Sequence, residues 1–382
     1  MRILVFSWRD IKHPLAGGAE QVMHEHAKGW VGAGHSVTHF SSEFPRSKKE
    51  EKIDGINLVR NGYQYIGVQI SGFFYYLNHK KDFDLVVDEF HGIPFFTPLY
   101  VKVPKIAVIQ ETAGKVWFLN PIRWPVNWII GLIGYILEPF IFLLYKDIPF
   151  MVGSQSAKED IIYFGIPAKN ITVVPHGVIV TKLKVKSLSR AKSRDEKLKV
   201  KTVVYLGILS KDKGIEDALR CFSILNRRRN FNFWVLGRPE TKKYGEKIMK
   251  LSKKLRLNSK IKFWGFVSQA KKFELLSRAH VLVNPSVHEG WGLVNIEANT
   301  VGTPVIAYNV SGIVDSVKDG LSGIICKRNN ADDLAENVVR MLNDELLYKK
   351  LQSGSLSWSK NFRWEKSQKL SLSLIEQIAN TK

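Results

Sequence analysis

The chain has 382 residues, of which 45% are hydrophobic, 24% charged and 11% aromatic. These fractions describe a folded globular protein, exclude a disordered or fibrous one, and at this length point to two domains rather than one core. Lys and Arg number 57 against 35 Asp and Glu, a net charge of +22, which attracts anions such as nucleic acid, anionic lipid or phosphorylated metabolites without choosing among them.

An apolar run, Arg2 to Trp8, opens the chain and reads as a buried strand. The glycine-bearing loop Ala16-Gly17-Gly18-Ala19-Glu20 follows, and Ala19, Val22, His26, Ala27 and Trp30 mark one face of a helix. Gly32 to Gly34 ends that helix and His35 to Phe40 reads as the next strand, so a βαβ unit with a parallel sheet is expected. Further strands are predicted at Leu85–Asp88 and Lys105–Ile109. Val126 to Tyr145 is apolar and long enough to cross a bilayer, but Glu138 and Pro139 interrupt it. A carboxylate at that depth costs roughly 2.5–3.5 kcal/mol even on insertion scales. A spanning helix, buried or interdomain helices, and a membrane-touching surface are the three readings; Trp117, Arg123, Trp124 and Trp128 favour the last.

A basic stretch at 181–200 lacks apolar periodicity and reads as a linker or exposed loop. Thr202 to Gly207 then begins a second α/β domain, with a helical stripe at Ile215, Ala218, Leu219, Phe222 and Leu225. Strands are predicted at Phe231–Leu236, Ile261–Phe263, His280–Asn284 and Pro304–Ala307. The two cysteines, Cys221 and Cys326, are too few for a disulfide framework, and with no signal-peptide pattern a reducing cytoplasm is expected. The histidines carry no metal-ligand spacing, so no metal site is expected. The basic clusters have no interleaved aromatics and no nucleic-acid motif accompanies them, so no nucleic-acid partner is expected.

The strongest chemical signal is Asn284 to Ala298. A strand ends at Pro285, a loop presents Glu289, Gly290 and Gly292 permit close backbone approach, and a helix begins near Leu293 with Glu297 one turn in. Ligands of open α/β sheets sit at such strand-to-helix turns, and unpaired amides at a helix start attract phosphate. A glutamate within that helix can accept hydrogen bonds from two adjacent sugar hydroxyls.

Here the chain resembles retaining glycosyltransferases of family 4, of the GT-B fold. The family pattern of Glu, seven residues, Glu, with Gly-aromatic-Gly after the first, is matched by Glu289, Gly290-Trp291-Gly292 and Glu297. Gly17-Gly18-Ala19-Glu20, the segment Ser154 to Asp160, Pro175-His176-Gly177-Val178, Gly302-Thr303-Pro304-Val305 and Gly320 to Gly323 fit in order. The resemblance implies two Rossmann-like doubly wound domains facing an interdomain cleft. It divides the chain into an acceptor-side domain at 1–180, a basic linker at 181–200, a donor domain at 201–360 and a C-terminal helix at 361–382 that returns to the first domain. It assigns Glu289, Gly290, Trp291, Gly292 and Leu293 to the donor sugar and phosphate, and Glu297 to ribose. Lys213 matches the cation that neutralises the leaving diphosphate, with Gly207 and Lys211 on the same loop. The family's arginine position holds Ile208, and its histidine after the Lys105–Ile109 strand is Gln110; His91 is a second N-domain candidate. Gly17 and Gly18 would present amides to the phosphates.

The activity expected is transfer of a hexosyl unit from a UDP- or GDP-linked sugar, without a metal or other cofactor. The resemblance implies retained configuration, and the donor cluster, the apolar 126–145 segment and the +22 charge point to a lipid-linked or envelope glycan acceptor. An anionic membrane surface, on the inner face of the cell membrane, is the further partner expected. Ile208 and Gln110 keep open a non-catalytic nucleotide-sugar-binding or scaffolding relative.

Overall fold

The computed structural model describes residues 1–64, 66–90, 92–119, 124–178, 200–228, 231–257 and 260–380. His91, Arg123 and all but the last residue of the expected linker at 181–200 lie outside them. Two compact units divide the chain: Met1–Gly177 with Arg363–Lys382, and Val178–Phe362.

The first unit is an eight-stranded sheet in the order β3-β4-β2-β1-β5-β6-β7-β8. Its strands are β1 (Arg2–Phe6), β2 (Ser36–Ser41), β3 (Glu50–Ile53), β4 (Ile56–Arg60), β5 (Leu85–Glu89), β6 (Lys105–Ile109), β7 (Phe150–Val152) and β8 (Ile171–Val173). All pairings are parallel except the β3–β4 hairpin, which closes on Asp54-Gly55 with both residues at positive φ. Such a tight turn accepts glycine and aspartate most readily. Alternation along the strands sends Ile3, Val5, Leu85, Val87, Ile106 and Val108 to one face. That face is covered by α1 (Gly18–Gly32) and by the C-terminal helix, α12 (Trp364–Asn380), which joins this unit after the chain has built the other. Trp30 Nε1 donates to Ser371 Oγ at 3.1 Å, and Gln368 Nε2 donates to the Glu25 carbonyl at 2.9 Å. Fully buried Arg60 and Asp10, 2.6 Å apart, join β4 to the loop after β1.

Leu4, Phe6, Val86, Ala107 and Ile109 face the other way, towards α2 (Ile66–His79) and α3 (Val126–Leu144). α3 runs unbroken through Pro139. It rests on a narrow stripe in which Gly131, Glu138, Phe142 and Tyr145 are buried. Gly131 and Gly134 give Trp117 and Phe118 a seat that any Cβ would fill. Glu138 accepts hydrogen bonds from the amides of Ala113 and Gly114 and from the Trp117 indole, at 2.6, 2.8 and 3.1 Å. The glutamate that interrupted the apolar run therefore belongs to the protein interior, where three donors satisfy it. The rest of α3 is exposed, which excludes the reading of buried helices: Trp128, Ile129, Ile133, Ile136, Phe140 and Leu143 are each more than half accessible.

The second unit is a six-stranded, all-parallel sheet in the order β11-β10-β9-β12-β13-β14. It comprises β9 (Lys201–Leu206), β10 (Phe231–Leu236), β11 (Ile261–Gly265), β12 (Val281–Asn284), β13 (Val305–Ala307) and β14 (Gly323–Ile325). Its helices are α5 (Ile215–Arg228), α6 (Lys242–Lys254), α7 (Gln269–Arg278), α8 (Leu293–Thr300), α9 (Ile313–Ser316), α10 (Ala331–Asn343) and α11 (Glu345–Ser359), while α4 (Gln155–Tyr163) belongs to the first unit. Apolar layers cover both faces, as a parallel sheet requires. Cys221 and Cys326 are buried free thiols in one of them.

Candidate active site

In the second sheet the strand order reverses at β9, from which the chain builds outwards through β10 and β11 before returning to β12 on the other side. The carboxyl ends of β9 and β12 thus flank a switch point, where open parallel sheets bind ligands. Both sequence motifs of this unit arrive there, one loop (207–214) leaving β9 and the other (285–292) leaving β12.

The two loops are locked together. Val287 N donates to the Asp212 carbonyl at 2.8 Å. Gly214, at φ +67°, passes so close to Pro285 that a Cβ would lie 1.9 Å from its carbonyl oxygen, so only glycine fits. Beneath the first loop the Tyr205 hydroxyl donates to the Ile208 and Lys213 carbonyls at 2.9 and 3.2 Å. Burial, with Asp212 and Glu289 nearby, holds that phenol protonated well above its ordinary range. Lys213 is thereby aimed at the second loop: its Nζ lies 3.2 Å from Glu289 Oε1, 3.4 Å from the His288 carbonyl and 3.6 Å from Asp212 Oδ2. Ser286 Oγ donates to the same Glu289 oxygen at 3.0 Å. The Lys213 and Glu289 side chains are 24% and 16% exposed, desolvated enough to strengthen the pair yet open to a ligand.

Gly292, at φ +76°, caps α8, and Leu293 opens its first turn. The helix start is fixed by a buried ladder in which Asn284 Nδ2 donates to Asn295 Oδ1 and Asn295 Nδ2 to Ser316 Oγ, each at 2.9 Å. The Trp291 side chain turns into the protein, where its ring centroid lies 5.1 Å from that of Phe362, so what it offers a ligand is its backbone. Glu297 is buried on α8 and pairs with Lys272 Nζ of α7 at 2.5 Å. Lys211 is exposed on the loop after Gly207, and Ile208 is 36% exposed. Lys272 and Gly312, whose backbone abuts Glu289, were not legible as site residues, because only folding brings them to these motifs.

In the first unit the order reverses at β1, and Gly17 and Gly18 follow that strand. Gly17 N donates to Glu20 Oε2 at 2.7 Å, and Glu20 Oε1 lies 2.7 Å from Arg9 Nε, which fixes the loop at the start of α1. Gln110 is buried at the end of β6, its Oε1 2.6 Å from His176 Nε2. That contact turns the amide oxygen inwards.

Residues 16–182 match the family model for glycosyltransferase family 4, and residues 189–357 match that for group 1 glycosyl transferases. The chain belongs to glycosyltransferase family 4. Among relatives of this family 4 chain, an uncharacterized glycosyltransferase of Methanocaldococcus jannaschii is 28% identical over 206 residues, covering 52% of each chain. The capsular polysaccharide biosynthesis glycosyltransferase CapM of Staphylococcus aureus is 29% identical over 220 residues, 56% of each chain. The chain thus spans about half the length of these curated relatives. Solved structures align over nearly all of it and carry the GT-B fold. Sucrose-phosphate synthase from Thermosynechococcus elongatus has a TM-score of 0.80 at 19% identity over the whole of both chains. Anabaena HepE, in complex with UDP-glucose, has a TM-score of 0.73 at 15% identity over 99% of this chain and 100% of its own.

Proposed function

We propose that this family 4 protein transfers a hexosyl unit from a UDP- or GDP-linked sugar to a lipid-linked or envelope glycan acceptor, with retention and without a metal. The observation that carries the reading is the Lys213–Glu289 pair at the switch point of the second sheet. Transfer breaks an anomeric C–O bond through a cationic sugar and leaves a nucleoside diphosphate, so the site must stabilise departing negative charge. Lys213 supplies a fixed cation, and the amides of Gly292 and Leu293 supply the positive end of α8. Glu289 holds donor-sugar hydroxyls, and Glu297, steadied by Lys272, accepts from the ribose. The relatedness to CapM and the UDP-glucose of HepE agree with such a donor and a cell-surface glycan product.

Thermal-shift screening against UDP- and GDP-sugars tests the reading, since a ligand of the native state raises the melting temperature. A rise with one donor, followed by release of its nucleoside diphosphate, is expected. No shift across both classes overturns it. Ile208 and the inward-turned Gln110 favour a second reading, a binding subunit without turnover; binding with no release over a broad acceptor panel selects it.

The proposed setting is the surface of an anionic membrane on the cytoplasmic side. On α3 the exposed apolar side chains span most of the circumference, with Trp124 and Trp128 at one end. Ile70, Phe74 and Leu77 of α2 are exposed on the same side of the first sheet. A patch this extensive exceeds what a solvated surface normally presents, and the +22 charge suits anionic lipid. Flotation with phosphatidylserine-containing vesicles should recover the wild type. The double substitution Ile133→Asp, Ile136→Asp should cut that at least about tenfold, as each burial is worth about 1.5–3 kcal/mol. Equal recovery of both proteins, or of neither, would remove the membrane from the account.

A further inference from the structure

Beneath α1 and α12, at the carboxyl edge of the first sheet, lies a group of polar side chains that the proposed chemistry leaves unused. The alternation that sends Val5, Val87 and Val108 to this face also sends Ser7, Glu89 and Gln110 there. Phe6 pairs with Asp88 and Glu89 with Val108, which puts the three side by side. Glu89 is 1% exposed. The Ser7 hydroxyl and the Gln110 amide lie beside its carboxyl, but neither carboxyl oxygen has a hydrogen bond of good geometry among the described residues. His26 Nδ1, Trp364 Nε1 and Ser367 Oγ in the same layer also have no hydrogen-bond partner among the described residues. Isolated groups of this kind in a protein interior carry a large desolvation penalty, which a purely structural apolar residue at position 89 would avoid.

We propose that Glu89 is a positioning residue, fixing Gln110 on one side and the Arg9–Glu20 pair that carries the glycine loop on the other. Among the described residues, Arg9 and Glu20 are the charged groups that act on it most, from the loop after β1 and from α1. Among the described residues, His26 of α1 and His176, whose ring reaches Gln110, are further titratable groups of the layer. Burial lowers these imidazoles to about 4 and about 3, so both stay neutral wherever Glu89 titrates. Burial, and then the Glu20 charge, raise the Glu89 carboxyl from 4.5 to about 8. It is therefore a neutral acid at physiological pH, able to donate as well as accept. The unfolded chain loses this proton near pH 4.5 and the folded one near pH 8, so native stability falls as pH rises through that window. Ionisation places a second carboxylate near Glu20 and competes for Arg9, which loosens the anchor of Gly17 and Gly18.

The role in transfer rests on the function proposed above; the network itself is tested without a substrate. Amide exchange over residues 9–20, corrected for the intrinsic effect of pH, is compared for wild type, E89Q and E89A between about pH 6 and pH 9. Wild-type exchange should rise about tenfold or more across the range, E89Q should stay protected throughout, and E89A should exchange fast at both ends. The same pH response in wild type and E89Q, or full protection in E89A, would overturn the proposal. In a transfer assay E89Q should keep kcat and lose the alkaline decline. E89A should lose about tenfold in kcat with donor KM unchanged. Should no nucleotide sugar be turned over, the function falls while the exchange data still decide the network.

Discussion

Lys213→Ala is expected to lower turnover by about 10²–10³-fold, the scale for removing one preorganised group that meets developing charge. The loss should fall mainly on kcat, because the charge on the leaving diphosphate grows as the anomeric bond breaks. Glu289 would keep its hydrogen bond from Ser286 but lose the cation 3.2 Å away, with Asp212 still nearby. A modest fall in melting temperature should accompany the loss, since the pair is only partly buried. Steady-state kinetics with the donor found by screening checks this. A variant with kcat within about threefold of wild type would place the leaving-group charge elsewhere.

Gly312→Ala should damage the same site without touching its chemistry. Gly312 sits at φ +75°, and a Cβ there would lie 2.2 Å from the Glu289 carbonyl oxygen and 2.6 Å from the Gly290 carbonyl carbon. Both are backbone atoms, so the loop that presents Glu289 must move. Displacement of a positioned group by about 1 Å can cost about 10²-fold in rate, and alanine in the left-handed region costs about 1–2 kcal/mol. Gly320→Ala is the control: its φ is +69°, yet no atom of the described residues lies within 4 Å of the added Cβ. It should share the strain and keep the activity. Equal activity in the two variants would mean that the Gly312 contact does not position Glu289.

Much of the fold could be read from the chain because parallel strands buried on both faces are continuous apolar runs. Lys105–Ile109 and Phe231–Leu236 stand where the sequence placed them. Three of the three-residue strands, β7, β8 and β14, were not read, since so short a run shows no period, nor was β3, whose Glu50-Glu51-Lys52-Ile53 has no apolar face; β13, equally short, was read. α2 escaped notice because its apolar and aromatic residues are spread around the helix, some packed and others exposed. Pro139 looked like a break in α3, but the helix absorbs it, and Glu138 beside it serves the 113–117 segment.

The candidate site divides in the same way. Glu289, Gly292 and Glu297 share one strand-loop-helix element, so their spacing was visible along the chain. Lys213 was visible through its glycine loop, but its contact with Glu289 arises from the neighbouring positions of β9 and β12. Lys272 and Gly312 bear no motif and reach the site through sheet order alone. Glu89 was hidden for a further reason: a strand-end carboxylate next to Asp88 looks solvated until the register shows that it faces the covered side.

The central claim is that Lys213, Glu289 and Glu297 form one receptor for a nucleoside diphosphate. Calorimetric titration of UDP and of GDP into wild type, Lys213→Ala and Glu297→Ala addresses it most directly. One nucleotide should bind the wild type, and each substitution should weaken it at least about tenfold, the worth of a charge-assisted hydrogen bond. Binding of neither nucleotide, or binding that both substitutions leave unchanged, would contradict the account.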